Sequence, residues 1–411
     1  MDKKSNLNDI LAFCVNLSRH MITSGANLER VHLAIEFICR AYGLREVSIF
    51  ILSTHISLSA SDDEGNYSSR QASIPPSGIH LERLRCLNQL SYKVAEITPN
   101  PKTLAQMLER SLNVNDYPEY VIIAGKVCAM LCIGLIFGAG LWDIVPVACI
   151  TVLIHFLMLW VEKTGIDRIL TNAFTMWAAS SCAVMYIYSG FSGNFAIIMI
   201  TVSMLVIPGI PLVNAMRNLL CSHEINGILQ MLKIFVETMA LALGIYAAFM
   251  MFGGEGMIND SAVPLSNPIL LVILSFVASV GFGIVFRIPP KDLWLAGLGG
   301  ALSRLSVILL PGITGNRLVY MTLSASVAAL YAEFLAVKRR QPSTYFVYPS
   351  IIPLIPGDLF FYAISGIYLG ARSWVEINGI NCLISLAGLS IGFVLSSAVS
   401  IHVRRIRYDR S

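Results

Sequence analysis

Two short stretches pair proline with glycine inside long apolar runs, Ile207-Pro208-Gly209 and Ile355-Pro356-Gly357. Proline lacks an N–H and its ring collides with the preceding turn, so each pair must interrupt a helix. The carbonyls four residues back, on Met204 and Ile352, are then expected to lose their intrahelical donors. At membrane depth such backbone is tolerated only where it is buried in protein or lines a wet cavity. The helical segment after each break aims N–H groups and a positive dipole end at the interruption, a setting suited to a substrate carboxylate. The plainer alternative is that both prolines only kink packing helices.

Charged and polar side chains cluster near these breaks. Asp358 directly follows the second one, where it either caps the new helix or binds a substrate ammonium or carries a proton. Gln230, Lys233 and Glu237 recur at helical spacing on one face. Lys233 and Glu237 can neutralise each other as an i,i+4 pair; otherwise Glu237 is a candidate proton carrier. Arg304 has no partner nearby in sequence, leaving Asp358, Glu237 or an anionic substrate group to meet it. Asn214 and Arg217 follow the first break at helical spacing, and Arg217 either touches substrate or anchors the helix end. An ionisable group within a span is a functional candidate by default. Three further ones have blander readings: Lys126 snorkels, His155 is a hydrogen-bonded packing residue, and Glu333 is structural beside Lys338.

The elements that hold these residues follow from composition. Of 411 residues 55% are apolar and only 13% are charged, about half the usual charged share. The charge is uneven: residues 1–119 hold 25 of the 54 Asp, Glu, Lys and Arg. This pattern predicts a soluble α+β domain over 1–118 followed by a membrane all-α region. In the domain, helices are expected at Leu7–Thr23, Leu28–Tyr42, 79–96 and 101–113. Strands are expected at Val47–Leu52, Ile56–Ala60 and Ser68–Ile74, the last two joined by Asp62-Asp63-Glu64-Gly65-Asn66. From residue 119 ten apolar stretches approach the roughly 20 residues that cross a bilayer: 120–138, 142–161, 170–188, 194–219, 227–252, 268–286, 292–310, 316–336, 344–370 and 379–402. With the N-terminus inside, twelve Lys and Arg, from Lys163 to Arg410, fall on the cytoplasmic side. Only Arg317 and Arg372 fall outside, and the loop 253–267 has neither type. That bias places both termini of a multi-pass membrane protein in the cytoplasm. No cleavable signal peptide is visible ahead of the first long apolar run.

The membrane region repeats itself. Besides the two Pro-Gly pairs, Glu224-Ile225-Asn226-Gly227-Ile228 recurs as Glu376-Ile377-Asn378-Gly379-Ile380, and Asp143 and Asp292 open the second and seventh stretches. The expected architecture is ten transmembrane helices in two five-helix repeats, 119–253 and 262–411. Five is odd, so the repeats are inverted, and such folds place substrate at the repeat interface.

The sequence around these residues resembles one known family. Ile207-Pro208-Gly209-Ile210-Pro211-Leu212-Val213-Asn214-Ala215-Met216-Arg217-Asn218 is similar to the Pro-Gly-x-x-x-x-Asn-Ala-x-Arg-Asp stretch of the threonine/serine exporters. Gly25-Ala26-Asn27-Leu28-Glu29-Arg30-Val31 resembles that family's Gly-Ala-Glu-Thr-x-Arg-Val motif, and Ile352-Pro353-Leu354-Ile355-Pro356-Gly357 its Pro-Leu-x-Pro-Gly. The resemblance implies efflux of threonine and serine driven by the proton-motive force. In related split systems the two halves are separate proteins, one linked to succinate export. Asn218, Asn27 and His32 stand where the family often has acidic residues.

The expected partners are thus a small amino acid, protons and the bilayer, with a homo-oligomer compatible and nucleic acid excluded by the absence of basic runs. No cofactor motif or metal-ligand spacing is present, and the nine scattered cysteines fit packing rather than disulfides. The chain is read as a transporter, not an enzyme. A dicarboxylate exporter is the second reading. A membrane-anchored hydrolase using Ser24, His55 and Asp62, or a sensor, is the third, and no nucleophile elbow supports it.

Overall fold

The computed structural model describes residues 3–75, 78–165, 167–220, 224–253, 264–339 and 341–408. Most of the expected 253–267 loop lies outside them, as do Arg340, Arg410 and the side chains of Arg404, Arg405 and Arg407. The described chain forms two compact units.

The first unit holds the chain up to Tyr117 together with Phe286–Pro289 and Phe334–Phe346. Helices α1 (Lys3–Thr23) and α2 (Leu28–Ala41) precede strands β1 (Arg45–Ile51), β2 (His55–Ser61) and β3 (Tyr67–Ser73), and α3 (Leu81–Ile97) and α4 (Pro101–Leu112) follow. The strands form an antiparallel meander in the order β1-β2-β3. The helix boundaries have local causes. Asn27 accepts a hydrogen bond from the Arg30 amide at 3.1 Å and so caps α2. Asp62 Oδ1 accepts from the amides of Glu64 and Asn66, which folds the β2–β3 turn. Strand β2 alternates, burying Ile56, Leu58 and Ala60 against α1, whose Leu11, Cys14 and Leu17 are fully enclosed.

The segment 286–289 is pinned inside this unit. Asp116 meets the Arg287 guanidinium at 2.6 Å, the Tyr117 hydroxyl donates to the Ile288 carbonyl at 2.6 Å, and the Leu81 amide donates to the Phe286 carbonyl at 2.9 Å. Beside them His80 caps α3, its Nδ1 accepting from the Arg83 amide, with Nε2 3.5 Å from Asp116. Burial, reinforced by the Arg83 charge, pushes the His80 imidazole down to about 4. Burial alone would raise Asp116, but its hydrogen bond to Arg287 and the charges of Arg287 and His80 hold the carboxyl below its usual value.

The second unit is helical. It contains α5 (Glu119–Ile136), α6 (Leu141–Thr164), α7 (Arg168–Tyr188), α8 (Phe195–Ser203), α9 (Gly209–Leu220) and α10 (Glu224–Phe252). After these come α11 (Pro268–Val285), α12 (Leu293–Leu309), α13 (Pro311–Thr314), α14 (Arg317–Arg339), α15 (Thr344–Ile351), α16 (Gly357–Leu369) and α17 (Arg372–Tyr408). The adjoining ends of α14 and α15 belong to the first unit. Seven helical segments are long and apolar enough to cross a membrane, and an eighth if α15 and α16, bent by 56°, form one span. This is a multi-pass membrane protein. All ten expected stretches are largely helical, yet two do not count by length and apolarity among the described residues. Helix α7 is diluted by the inward-facing Asn172, Thr175, Ser180 and Ser181. The 194–219 stretch is divided, its first part α8 being only nine residues long.

Candidate functional site

Both Pro-Gly pairs end one helix and begin another. The Gly209 amide donates to the Ile207 carbonyl at 2.8 Å, and the Gly357 amide donates to the Ile355 carbonyl at 2.9 Å. The first helical bond beyond each break then ends on the proline carbonyl, from Leu212 to Pro208 at 2.9 Å and from Phe360 to Pro356 at 3.1 Å. The same turn is thus built twice. One expectation needs correcting. The Ile352 carbonyl does not lose its donor: a short 3-10 turn over Ile352–Leu354 lets the Ile355 amide reach it at 3.3 Å.

The two breaks pack on each other reciprocally. A Cβ at Gly209 would meet Ile355 Cγ2 at 2.8 Å, and a Cβ at Gly357 would collide with the Met204 thioether. Each glycine therefore gives room to a side chain of the opposite break. Asn214, on α9, donates from Nδ2 to the Tyr348 hydroxyl of α15 at 3.1 Å, a second tie between the broken segments. Arg217 lies within electrostatic reach of the same, buried, tyrosine.

The two new helix starts differ in charge. The first turn of α9 has no acidic residue, whereas α16 opens with Asp358. The Asp358 carboxylate faces the amides of its own residue and Leu359, and lies within electrostatic reach of Arg317 and Arg304. Arg304 is held by a hydrogen bond from Nε to the Ser275 hydroxyl at 3.1 Å, and Arg317 donates to the Ser385 hydroxyl at 3.3 Å. Among the described residues no ion pair within 4 Å joins either arginine to Asp358.

Glu237 belongs to a different group. It is 3% exposed and lies 3.9 Å from Arg168 of α7 and 4.0 Å from Lys233. The local pair expected between Lys233 and Glu237 is present at the edge of ion-pair range, with Arg168 added. Two residues past Glu237, the Met239 carbonyl accepts from the Tyr368 hydroxyl at 3.3 Å, at the far end of α16 from Asp358. Ten helical residues separate Tyr368 from Asp358, about 15 Å of rise. The structure thus gathers Pro208, Gly209, Asn214, Pro356, Gly357 and Asp358 around the breaks and sets Glu237 and Lys233 apart. Asn218 donates to the Gln230 side chain at 3.0 Å, joining α9 to α10.

Sequence reasoning missed Tyr348, Arg317, Met204 and Ile355. A tyrosine or methionine in an apolar run carries no local flag, and Arg317 looked like a loop cation. Asp143 is a structural cap: its carboxylate accepts from the Gly140 amide at 2.8 Å and the Asn194 amide at 2.6 Å. In the first unit the suggested hydrolase residues have other work, Asp62 holding its turn and Ser24 being fully buried. No group of three or more metal-ligating side chains occurs among the described residues.

Residues 12–252 match a family model described as a threonine/serine exporter, and residues 271–399 match a second, described as "Threonine/Serine exporter, ThrE". A curated protein of Klebsiella aerogenes, named "Probable succinate transporter subunit YjjP", is 24% identical over 260 residues, covering 62% of this chain and 98% of its own length. No solved structure matches the chain. The matched spans include the Pro-Gly breaks just described, and the two models together take in nearly all of the sequence. The chain belongs to the threonine/serine exporter family.

Proposed function

We propose that this protein exports threonine or serine across the bacterial plasma membrane by proton antiport, with the substrate held between the two broken helices. In this reading a soluble cytoplasmic domain over 1–118 precedes two inverted five-helix repeats, 119–253 and 262–411, giving ten spans with both termini in the cytoplasm. The α8–α9 and α15–α16 segments are the corresponding fourth and ninth spans. Alternating access moves one repeat against the other around a fixed site.

The observation that carries the reading is the reciprocal packing of the breaks, Gly209 under Ile355 and Gly357 against Met204. Their unlike helix starts suit a zwitterion. The start of α9, without an acidic residue, attracts the substrate carboxylate. Asp358, at the start of α16, attracts the ammonium group or the proton that replaces it. Asn214, with Tyr348, supplies the polar contact for a side-chain hydroxyl, and Arg217 stands at the same group. Glu237, between Arg168 and Lys233, is a second proton-coupling candidate.

The test is uptake into proteoliposomes. Labelled threonine or serine should exchange across the bilayer, and an imposed pH gradient should drive net flux. Dicarboxylate efflux is the second reading. It is favoured by the two arginines, Arg304 and Arg317, near Asp358 and by the relative named as a succinate transporter subunit. Succinate flux without amino-acid flux would replace the first reading with the second.

A further inference from the structure

Lys126 and His155, which the sequence presents as a snorkelling cation and a packing residue, touch. Lys126 Nζ lies 2.9 Å from His155 Nδ1, and on the other side of the ring His155 Nε2 lies 3.2 Å from Glu119 Oε1. The imidazole is 3% exposed. Glu119 opens α5 and its side chain is half exposed, while Lys126 stands seven residues further along, about 10 Å of helix. A buried ring thus separates an outer carboxylate from an inner amine. We propose that Glu119, His155 and Lys126 form a proton-transfer chain that serves the antiport, a role that rests on the proton-coupled reading above.

The chemistry follows from the partners. A lysine ammonium can only donate, so Nδ1 accepts from it and the ring proton resides on Nε2. That nitrogen is 3.2 Å from the carboxylate but with no hydrogen bond formed between them, so the Glu119 side chain must turn toward the ring before transfer. When the ammonium gives its proton to Nδ1, the Nε2 proton passes to Glu119. One N–H bond breaks and one forms at the ring, and the chain ends as amine, neutral imidazole and carboxylic acid. The chain is reset when Glu119 releases its proton to water, the ring turns so that its proton again faces the carboxylate, and Lys126 takes up a new proton. Histidine is suited to this because its two nitrogens handle protons near neutral pH.

Other ionisable residues lie on some of the helices packed around this group. Helices α8 and α11, which pack on α5, contain no ionisable residue. Helix α7, packed on α6, contributes Arg168, Cys182, Tyr186 and Tyr188. The rest of α5 adds Tyr120, Cys128 and Cys132, and α6 adds Cys149, with Asp143, Glu162 and Lys163 toward its ends. Arginine keeps the positive charge and the donors of a structural cation but cannot give up its proton, and threonine counterflow reports whether its larger head is accommodated. That difference separates the two roles.

The experiment compares threonine counterflow with flux driven by an imposed pH gradient, in proteoliposomes holding wild type, His155→Gln or Lys126→Arg. Loss of a proton-transfer group should lower gradient-driven flux about 100-fold while counterflow persists. Gradient-driven flux within about twofold of wild type in either variant, by the same scale, overturns the chain. A wild type that exchanges threonine but ignores the gradient instead overturns the antiport reading itself. If a variant does not insert, nitrogen NMR on the wild-type protein decides, because His155-Phe156 is the sole His-Phe bond in the sequence and labels the ring uniquely. A neutral ring protonated at Nε2 supports the chain. Protonation at Nδ1 alone, or at both nitrogens at neutral pH, refutes it.

Discussion

Substituting Gly209 by alanine places one methyl group where the two breaks interlock. That Cβ would lie 2.8 Å from Ile355 Cγ2 and 3.1 Å from Cδ1. Ordinary carbon contacts are about 3.5–4.0 Å, so something must give by roughly 0.7 Å or more. Ile355 is β-branched and stiff at χ1, and it sits in the extended residue between the 3-10 turn and Pro356. Overpacking of this kind costs about 1–3 kcal/mol. If transport requires the breaks to pass through this packed arrangement, its population falls by about 5- to 150-fold, at 1.4 kcal/mol per tenfold. Threonine counterflow should fall by a factor in that range. Ile355→Ala in the same chain should restore most of it, giving a coupling energy above about 0.5 kcal/mol in the double-mutant cycle. Gly312→Ala is the control, because a Cβ there meets nothing within 4 Å. Normal flux in Gly209→Ala, or a loss that Ile355→Ala leaves unchanged, would refute the interlock as a working part of the cycle.

Three other outcomes are expected. Asp358→Asn and Glu237→Gln should impair gradient-driven flux more than Glu333→Gln, measured at equal insertion; equal rates in all three would remove both carboxylates from the coupling. Tyr348→Phe leaves the half-buried Asn214 amide without this partner, which costs about 1 kcal/mol and should weaken threonine counterflow; an unchanged rate would exclude that contact. The last concerns the first unit. His80 is held near 4 when folded and titrates near 6.5 when unfolded, so above pH 6.5 it contributes no pH dependence. Between 6.5 and 4 the unfolded state binds a proton that the folded state refuses, and stability declines by up to about 3 kcal/mol. Asp116, held below its ordinary value, loses its stabilising role only at lower pH. Hydrogen exchange at the Arg83 and Leu84 amides of the full chain, normalised to intrinsic rates, should accelerate across that window. A flat profile would contradict it.

Local rules made much of the architecture legible. Asn27 as a cap, the Asp62 turn and the alternation of β2 each depend on residues a few positions apart, and the elements appear where those patterns place them. The Pro-Gly interruptions were legible for the same reason, since proline breaks a helix whatever surrounds it. The partners across them were not. Asn214 and Tyr348 are 134 positions apart, and nothing in either segment announces the other. The contact of 286–289 with Asp116 and Tyr117 bridges 171 positions through one ion pair and backbone carbonyls, which leave no compositional trace. Lys126 and His155 were each sensible alone and acquire meaning only as neighbours. Apolarity along the chain leaves α7 short of an ordinary span, because Asn172, Thr175, Ser180 and Ser181 lie on its buried face.

The central claim, that the two interruptions form one working site, is tested most directly by joining them. In a Met204→Cys/Gly357→Cys variant that also carries Cys382→Ser, the sulfur at 204 takes the place of Met204 Cγ, 3.8 Å from the Cβ position at 357. The two thiols are then close to disulfide range. Oxidation in proteoliposomes should form the cross-link and stop threonine flux, and reduction should restore it. Failure to cross-link, or full flux through the cross-linked protein, would contradict the account.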